Sequence, residues 1–324
     1  MIRRAAALAA LALLAAPGVA HADGPQIGVS YTLDGVSSPR GGIRYVTVPL
    51  GKRTVLEAIR TDGGRVSWMR VLPGFWGTWR LTTNGDTGGI SRNLKLLVMG
   101  TPAARYPARW TRLLLYATQR HRYHIVKLRG DFSFDALSPD ATTLYLIQHV
   151  GGPADSAYRV RAYDTQKRKL LPGVIAERWA GSTTMQGVPV QRATGPGGRW
   201  EFTLYQAPDG SSAFVHALDT VHRFAMCIDI PKSMTRDIAR LAIGVEGDRA
   251  LQLVAAGQIV GRIRLDDLQL EKAAPVPHRT AGSTATGSDG DRPWVPIAAG
   301  FAAAILAAGG CAMALRRRRR HAVS

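Results

Sequence analysis

Between Thr87 and Gly130 the chain has no Asp or Glu. The same stretch holds Arg92, Lys95, Arg105, Arg109, Arg112, Arg120, Arg122, Lys127 and Arg129, with Tyr106, Trp110 and Tyr123 among them. Cations of one sign interleaved with aromatic rings can hold an anionic polymer, a phospholipid headgroup or an acidic protein. The binding set expected from this run is Arg105, Arg109, Trp110, Arg112, Arg120 and Arg122. A solvated face in an arginine-rich composition would give the same pattern.

Other reactive side chains are scattered. His121 and His124 lie in RHRYHIV with Arg120 and Arg122 around them. Neighbouring cations disfavour a metal, and no acid stands near in sequence, so no metal site is expected. His216 and His222 flank Asp219 but sit on either side of a turn, and His149 follows a strand pattern; packing or turn surface accounts for each. The chain has no G-x-S-x-G elbow, no H-E-x-x-H and no phosphate-binding loop. No cofactor is expected and no catalytic residue is assigned. Cys227 lies in the apolar strand pattern RFAMCIDI and reads as a buried thiol. Cys311 falls in a separate apolar segment, so the two cysteines do not bridge.

The elements that would position these residues are short strands. A turn precedes an apolar strand in SPRGGIRYVTV, TNGDTGGISRNLKLLVM, LSPDATTLYLI, GPGGRWEFTLY and GVEGDRALQLV. The strands begin near Tyr45, Leu94, Leu144, Glu201 and Leu251, at steps of 49, 50, 57 and 50 residues. A period near 50 is a repeat architecture. Each unit offers four strand-like pieces, broken by Pro, Gly, Asp and Asn turns. For the first unit these are IGVSYTL, IRYVTV, TVLEAIRT and RVSWMRVL; for the second, GTWRLTT, LKLLVMG, RLLLYATQ and YHIVKLR. The third gives FSFDALS, TTLYLIQHV, YRVRAYDT and KLLPGVIAE. The fourth gives VPVQRAT, WEFTLYQ, AFVHALDT and FAMCIDI. The fifth gives ARLAIGV, ALQLVAA, IVGRIRL and a last strand near LQLEK. ARYPARWTR reads as an inserted loop. The fold class expected is all-β, a β-propeller of about five four-stranded blades over residues 23–271. Six or seven blades remain possible if strands are shared differently.

LSPDATTLYLI followed by VRAYDTQKRKLLPG resembles the YVTN-type β-propeller repeat, in which a Ser-Pro-Asp-Gly turn and a Leu-Tyr-Val strand precede an Asp-Thr turn. FVHALDTVHRF and EAIRTDGGRVSWMRVLPG echo its second half. Only one unit keeps Ser-Pro-Asp, and Ala141 stands where Gly is usual. The resemblance implies a fold and no chemistry. In a five-bladed propeller, a glycosidase places carboxylates on the inner strands. Here, aligning the inner strands on their turns sets Asp135 against Arg192, with Leu241 following, so a carboxylate trio does not form. An inter-blade ion pair between Asp135 and Arg192 is expected. Arg80, Arg192 and Arg240 are expected, with Asp135, at the axial mouth, where they would receive an anion; structural ion pairs are the alternative.

The chain ends set the location. MIRRAAALAALALLAAPGVAHA has a short basic start, an apolar run and Ala20-His21-Ala22, the pattern of a signal peptide over 1–22. Residues 294–315 carry no charge and are followed by five arginines. At about 1.5 Å per residue the apolar run would span roughly 33 Å, enough for a bilayer core. The arginines keep the tail, 316–324, cytoplasmic. Residues 272–293, rich in Pro, Gly, Ser and Thr, read as a flexible stalk. Gly300, Ala304 and Ala308 form a small-residue stripe that would support a weak homodimer. Wall attachment by a sortase is a rival, though Ser283-Thr284-Ala285-Thr286-Gly287 lacks the Leu and the Pro or Ala of that motif.

Taking Arg3, Arg4 and the arginines at 316–320 from 42 basic residues leaves 35 against 23 acidic ones, a net +12 outside the membrane. An exported domain does not meet nucleic acid. Anionic envelope polymer, phospholipid headgroups or an acidic protein are the expected partners, with compositional drift as the alternative source of the charge. The expected function is a membrane-tethered, single-pass extracytoplasmic binding or scaffold module. The alternative is a propeller-type hydrolase, a lactonase or glycosidase, with an axial active site.

Overall fold

The computed structural model describes residues 27–103, 106–151, 157–176, 183–207, 209–234 and 240–273. The signal segment, the stalk, residues 294–315 and the basic tail lie outside them. Among the described residues there is no α-helix, only one short 3-10 turn at Pro196–Gly198, and no helix long and apolar enough to cross a membrane.

A first short strand, β1 (Gly28–Ser30), precedes five successive antiparallel sheets. Sheet I is β2 (Val36–Ser37), β3 (Ile43–Leu50), β4 (Arg53–Arg60) and β5 (Val66–Pro73). A small hairpin follows, β6 (Thr78–Arg80) and β7 (Thr87–Gly88). Sheet II is β8 (Leu96–Gly100), β9 (Trp110–Ala117) and β10 (Arg122–Arg129). Sheet III holds β11 (Asp131–Leu137), β12 (Thr143–His149), β13 (Ala157–Asp164), β14 (Lys169–Leu170) and β15 (Met185–Gln186). Sheet IV is β16 (Val188–Thr194), β17 (Trp200–Gln206), β18 (Ala213–Asp219) and β19 (Phe224–Ile230). Sheet V is β20 (Leu241–Glu246), β21 (Ala250–Ala255), β22 (Gln258–Arg264) and β23 (Leu270–Lys272).

The strands that read as unbroken apolar runs are buried on both faces. In β12, Leu144 and Leu146 enter the core shared with sheet II, while Tyr145 and Ile147 enter the core shared with sheet IV. Likewise β8 sends Leu97 and Met99 toward sheet I and Val98 toward sheet III. In β17, Phe202 and Leu204 face sheet V and Tyr205 faces sheet III. A side-chain period of two distributes such a run between two neighbours. Each core therefore joins consecutive sheets: I with II, II with III, III with IV, and IV with V.

One turn recurs at the base of the sheets. Ser138 Oγ donates to Asp140 Oδ1 at 2.6 Å, and the N–H of Ala141, at φ 68°, donates to the Ser138 carbonyl. In sheet II, Ser91 and Asn93 make the same turn, with Leu94 at φ 59°. In sheet I, Gly41 takes that place, its N–H on the Ser38 carbonyl. Asn and Asp bond their own backbone in such turns. The residue after the third strand of sheets I, III, IV and V, and after β9 in sheet II, then donates its N–H to that turn: Thr61 to Gly42, Thr118 to Lys95, Thr165 to Thr142, Thr220 to Arg199 and Leu265 to Arg249, at 2.8–3.1 Å. The repeat seen in sequence is thus a repeat of hydrogen bonds. First strands meet their neighbours as well: β2 meets β7, β7 meets β11, and β16 meets β20. Successive up-and-down sheets that share cores and bring their first strands together are blades of a β-propeller.

Three expectations need correction. IGVSYTL does not join the first sheet; β1 pairs with β6 instead. GTWRLTT is not a simple inner strand, because β6 turns back through residues 81–86 into β7, and the bonds to β8 come from Gly77, Gly89, Ile90 and Ser91. Crowding shows how tightly this graft is seated. A Cβ on Gly100 would lie 2.4 Å from the Trp79 ring, and one on Gly77 would lie 2.6 Å from the Ser30 carbonyl oxygen. KLLPGVIAE gives only β14 and an isolated bridge at Ile175, and β15 also pairs with β13. The loop expected at ARYPARWTR is seen only over residues 106–109, because β9 already begins at Trp110; Ala104 and Arg105 lie outside the described residues.

Candidate functional site

The β6–β7 hairpin reaches across to sheet IV. Its tip donates from Thr83 N to the Pro189 carbonyl at 3.0 Å and from Asn84 N to the Val190 carbonyl at 3.1 Å. Asp86 accepts the Arg192 N–H at 2.7 Å and the Thr82 hydroxyl at 2.9 Å. The hairpin thus straps sheet II's end of the axis to sheet IV.

Sheet III supplies the facing wall. Phe134 pairs with Leu146 and Ala136 with Tyr145, which leaves Asp135 as the extra residue of a β-bulge. Bulges re-aim a side chain, and Asp135 is turned onto Arg192. The guanidinium Nη2 lies 2.5 Å from Asp135 Oδ1, and Nη1 donates to the Asp135 carbonyl. Nε of Arg192 is 3.5 Å from Glu201 Oε2, whose other contact is the Thr194 hydroxyl at 2.9 Å. The pair expected from the strand alignment is therefore present, with only 10% and 5% of the two side chains exposed. A second bulge, at Val190 between Pro189 and Gln191, bends β16 beside it.

These elements enclose a cavity of about 1010 Å³. Its wall includes Trp79, Arg80, Tyr106, Arg109, Trp110, Asp131, Phe132, Ser133, Phe134, Asp135, His149, Tyr158, Arg192 and Tyr205. Tyr158 and Tyr205 stack at 5.1 Å, and Tyr106 meets His149 edge-on at 5.9 Å. Asp135 Oδ2 is buried with no hydrogen-bond partner, as is Arg80 Nε. Among the described residues neither Arg80 nor Arg109 forms an ion pair. The volume suits a small molecule or one unit of a polymer. The wall offers cations for an anion, a carboxylate oxygen for a donor, and rings to stack on.

Burial sets the protonation states around this wall. His149 is held below the ordinary histidine range by burial, opposed by Asp131. His216, paired with Thr203 across β17 and β18, is pushed down to about 4 by burial, against the Asp135 charge. Burial raises the Glu201 carboxyl, with Arg192 opposing.

The structure brings two separate expectations together. Arg109 and Trp110 of the basic run line the same cavity as Arg80, Asp135 and Arg192 of the axial set. The rest disperse. Arg112 lies over the ring of the buried Trp76 at 5.3 Å. Arg120 and Arg122 are exposed at the outer hairpin of sheet II. Arg105 lies outside the described residues. Arg240 is exposed before β20 and is not part of the cavity wall, because the sheet V inner strand starts only after it. His121 packs edge-on against Trp68 at 4.8 Å and contacts the Tyr116 hydroxyl. Asp219 binds the His222 ring and Arg199 at a turn. Cys227 is half-buried rather than buried, its Sγ 3.7 Å from Met185 Sδ. Among the described residues no cluster could hold a metal ion.

Sequence reasoning missed Ser133, Tyr158 and Tyr205 and assigned His149 to packing or turn surface, whereas all four line the cavity. Their common signal is position, on β11, β12 and β13 of sheet III and on β17 of sheet IV.

No protein-family model and no curated protein sequence matches the chain. Among solved structures it is similar to the Dos1 propeller (8% identity, TM-score 0.40, 73% of this chain and 57% of that one). It is also similar to an oligogalacturonate lyase in complex with manganese (12%, 0.45, 76% and 65%) and to the β-propeller domain of the trilobed protease from Pyrococcus furiosus (10%, 0.38, 70% and 62%). The chain thus spans less than two thirds of the length of these proteins. The class defined by its own sheet order and repeated turns is a β-propeller.

Proposed function

We propose that the chain is a membrane-tethered, single-pass extracytoplasmic β-propeller of five blades that binds an anionic polymer of the cell envelope through its axial cavity. One observation carries this: Arg80 and Arg109, neither of which has a carboxylate partner among the described residues, share an aromatic-walled cavity with Asp135 Oδ2, which has no hydrogen-bond partner there. Unpaired cations receive the anion, the rings cover its apolar faces, and Asp135 accepts from a hydroxyl. A cavity admits one unit of a chain, whereas a flat headgroup surface cannot enter it. The Ser138-Pro139-Asp140 turn supports kinship with YVTN-type repeats. The sequence pattern of a signal segment, an apolar span and a basic tail supports the reading of a cytoplasmic C-terminus.

The test is binding of the full-length chain, in detergent, to purified anionic wall polymer across a salt series. Vesicles of anionic phospholipid and a neutral glycan serve as comparisons. Saturable binding to the polymer that weakens with salt, with no binding to the neutral glycan, is expected. Equal binding to the neutral glycan, or binding to vesicles alone, would remove the proposal.

A further inference from the structure

The cavity contains a pair that polymer binding leaves unused. Ser133 and His149 lie on neighbouring strands, β11 and β12, with Asp131 directly across from His149 and Ile147 across from Ser133. The period of two puts Asp131, Ser133 and His149 on one face of sheet III, and all three line the cavity. Ser133 Oγ is 3.0 Å from His149 Nε2, within the reach a base needs to take a hydroxyl proton. Both residues are half-buried, so an entering molecule can touch them. Tyr106 meets the imidazole in a T-shaped contact, ring centroids 5.9 Å apart. The Asp131 carboxylate is itself fixed by the Ala108 N–H at 3.0 Å.

We propose that Ser133 and His149 form a nucleophile–base dyad that hydrolyses a carboxylic ester carried by the anionic ligand. The proposal rests on the anion-binding reading for its substrate class, and on its own geometry for the chemistry. Ser133 Oγ bonds to the ester carbonyl carbon as its proton moves to His149 Nε2, and the carbonyl π pair moves onto oxygen. The oxygen pair then returns, the alkoxide leaves and takes the proton from His149, and an acyl-serine remains. Water attacks that carbonyl, giving its proton to His149, and Ser133 recovers a proton as the carboxylic acid leaves. Ester and water become acid and alcohol, with no other reactant. Arg80 and Arg109 supply the cations that hold the ligand's charge beside this carbonyl. Burial keeps His149 below the usual histidine range, so it is neutral, and able to accept, at pH 7.

The experiment uses the full-length chain in detergent, a fluorophosphonate that labels activated serines, and two aryl esters, a hemisuccinate and a butyrate. Labelling is read by peptide mapping, and folding of each variant by thermal denaturation. Label at Ser133 is expected, absent in Ser133→Ala and slowed about 100-fold in His149→Gln. The hemisuccinate should be cleaved about 5-fold faster than the butyrate, a preference lost in the Arg80→Ser/Arg109→Ser chain, since an exposed charge pair contributes at most roughly a factor of five. Ser133→Cys should transfer reactivity to thiol reagents, which separates lost chemistry from lost folding. No label on Ser133, or a rate unchanged in folded His149→Gln, overturns the dyad. Polymer binding that survives such a result leaves the binding function standing, whereas label without polymer binding removes the anionic substrate and not the nucleophile.

Discussion

Arg192 holds three elements at once: the Asp86 carboxylate of the strap through its N–H, Asp135 of sheet III, and Glu201 of its own sheet. A buried pair adds little net stability, yet removing one member leaves a desolvated charge. Arg192→Leu is therefore expected to lower unfolding free energy by about 3–5 kcal/mol. Asp135→Leu combined with Arg192→Met should recover much of that loss in a urea titration; a double variant as unstable as the single one would contradict the account. Protonation follows from the same burial. His216 binds its proton at about 4 in the fold but near 6.5 when unfolded. Stability tied to His216 is thus complete above the unfolded value and falls as pH drops from there toward 4, by about 3 kcal/mol in total. Glu201, raised by burial, acts with the opposite sign, since its unfolded form ionises first as pH rises. Glu201→Gln should consequently steepen the loss of stability between pH 6.5 and 4, read from urea midpoints; a flatter profile would contradict this. At this scale the sequence disclosed the Asp135–Arg192 pair, because both stand at matching offsets from a turn. It hid Ser133 and His149, whose partnership depends on cross-strand register.

The strap is the element that most shapes the site. Its tip is held by two backbone bonds and by Asp86. Asp86→Ala removes the acceptor of the Arg192 N–H and of the Thr82 hydroxyl, and a lost bond to a carboxylate costs about 1.5–3 kcal/mol. Amide exchange at Thr83, Asn84 and Arg192 should then accelerate while the amides of β12 and β17 stay protected, since local opening is cheaper than global unfolding. Unchanged exchange at the tip would show that the strap is held by other contacts. Strands β3–β5, β8–β13 and β16–β23 were legible because each couples alternation or an apolar run to a turn signal. The strap was not. TWRLTT is a sound strand pattern and Asn84-Gly85 signals a turn after it, but nothing local says that the turn's tip bonds to β16 of another sheet. The turns were half legible: Ser91-Arg92-Asn93 makes the same bonds as Ser138-Pro139-Asp140, but Asn replaces Asp and Arg replaces Pro.

At the scale of the molecule, the tandem turns and shared cores account for the propeller, and the single-sign charge divides into two regions that differ in geometry. Arg80 and Arg109 open on the cavity; Arg120 and Arg122 lie on the outer hairpin of sheet II. Tethering is expected to depend on residues 294–315. A chain ending at residue 293 should move from the membrane fraction to the extracytoplasmic soluble fraction, and equal fractionation of both chains would contradict the anchor. The central claim concerns which arginines receive the ligand. The direct measurement is the affinity of the full-length chain for anionic wall polymer at two salt concentrations, for Arg80→Ser/Arg109→Ser beside Arg120→Ser/Arg122→Ser. The account predicts that the first pair loses about 10-fold or more in affinity, together with part of the salt dependence, while the second binds as the parent does. Loss confined to the Arg120/Arg122 variant would place binding on the outer edge and contradict the cavity.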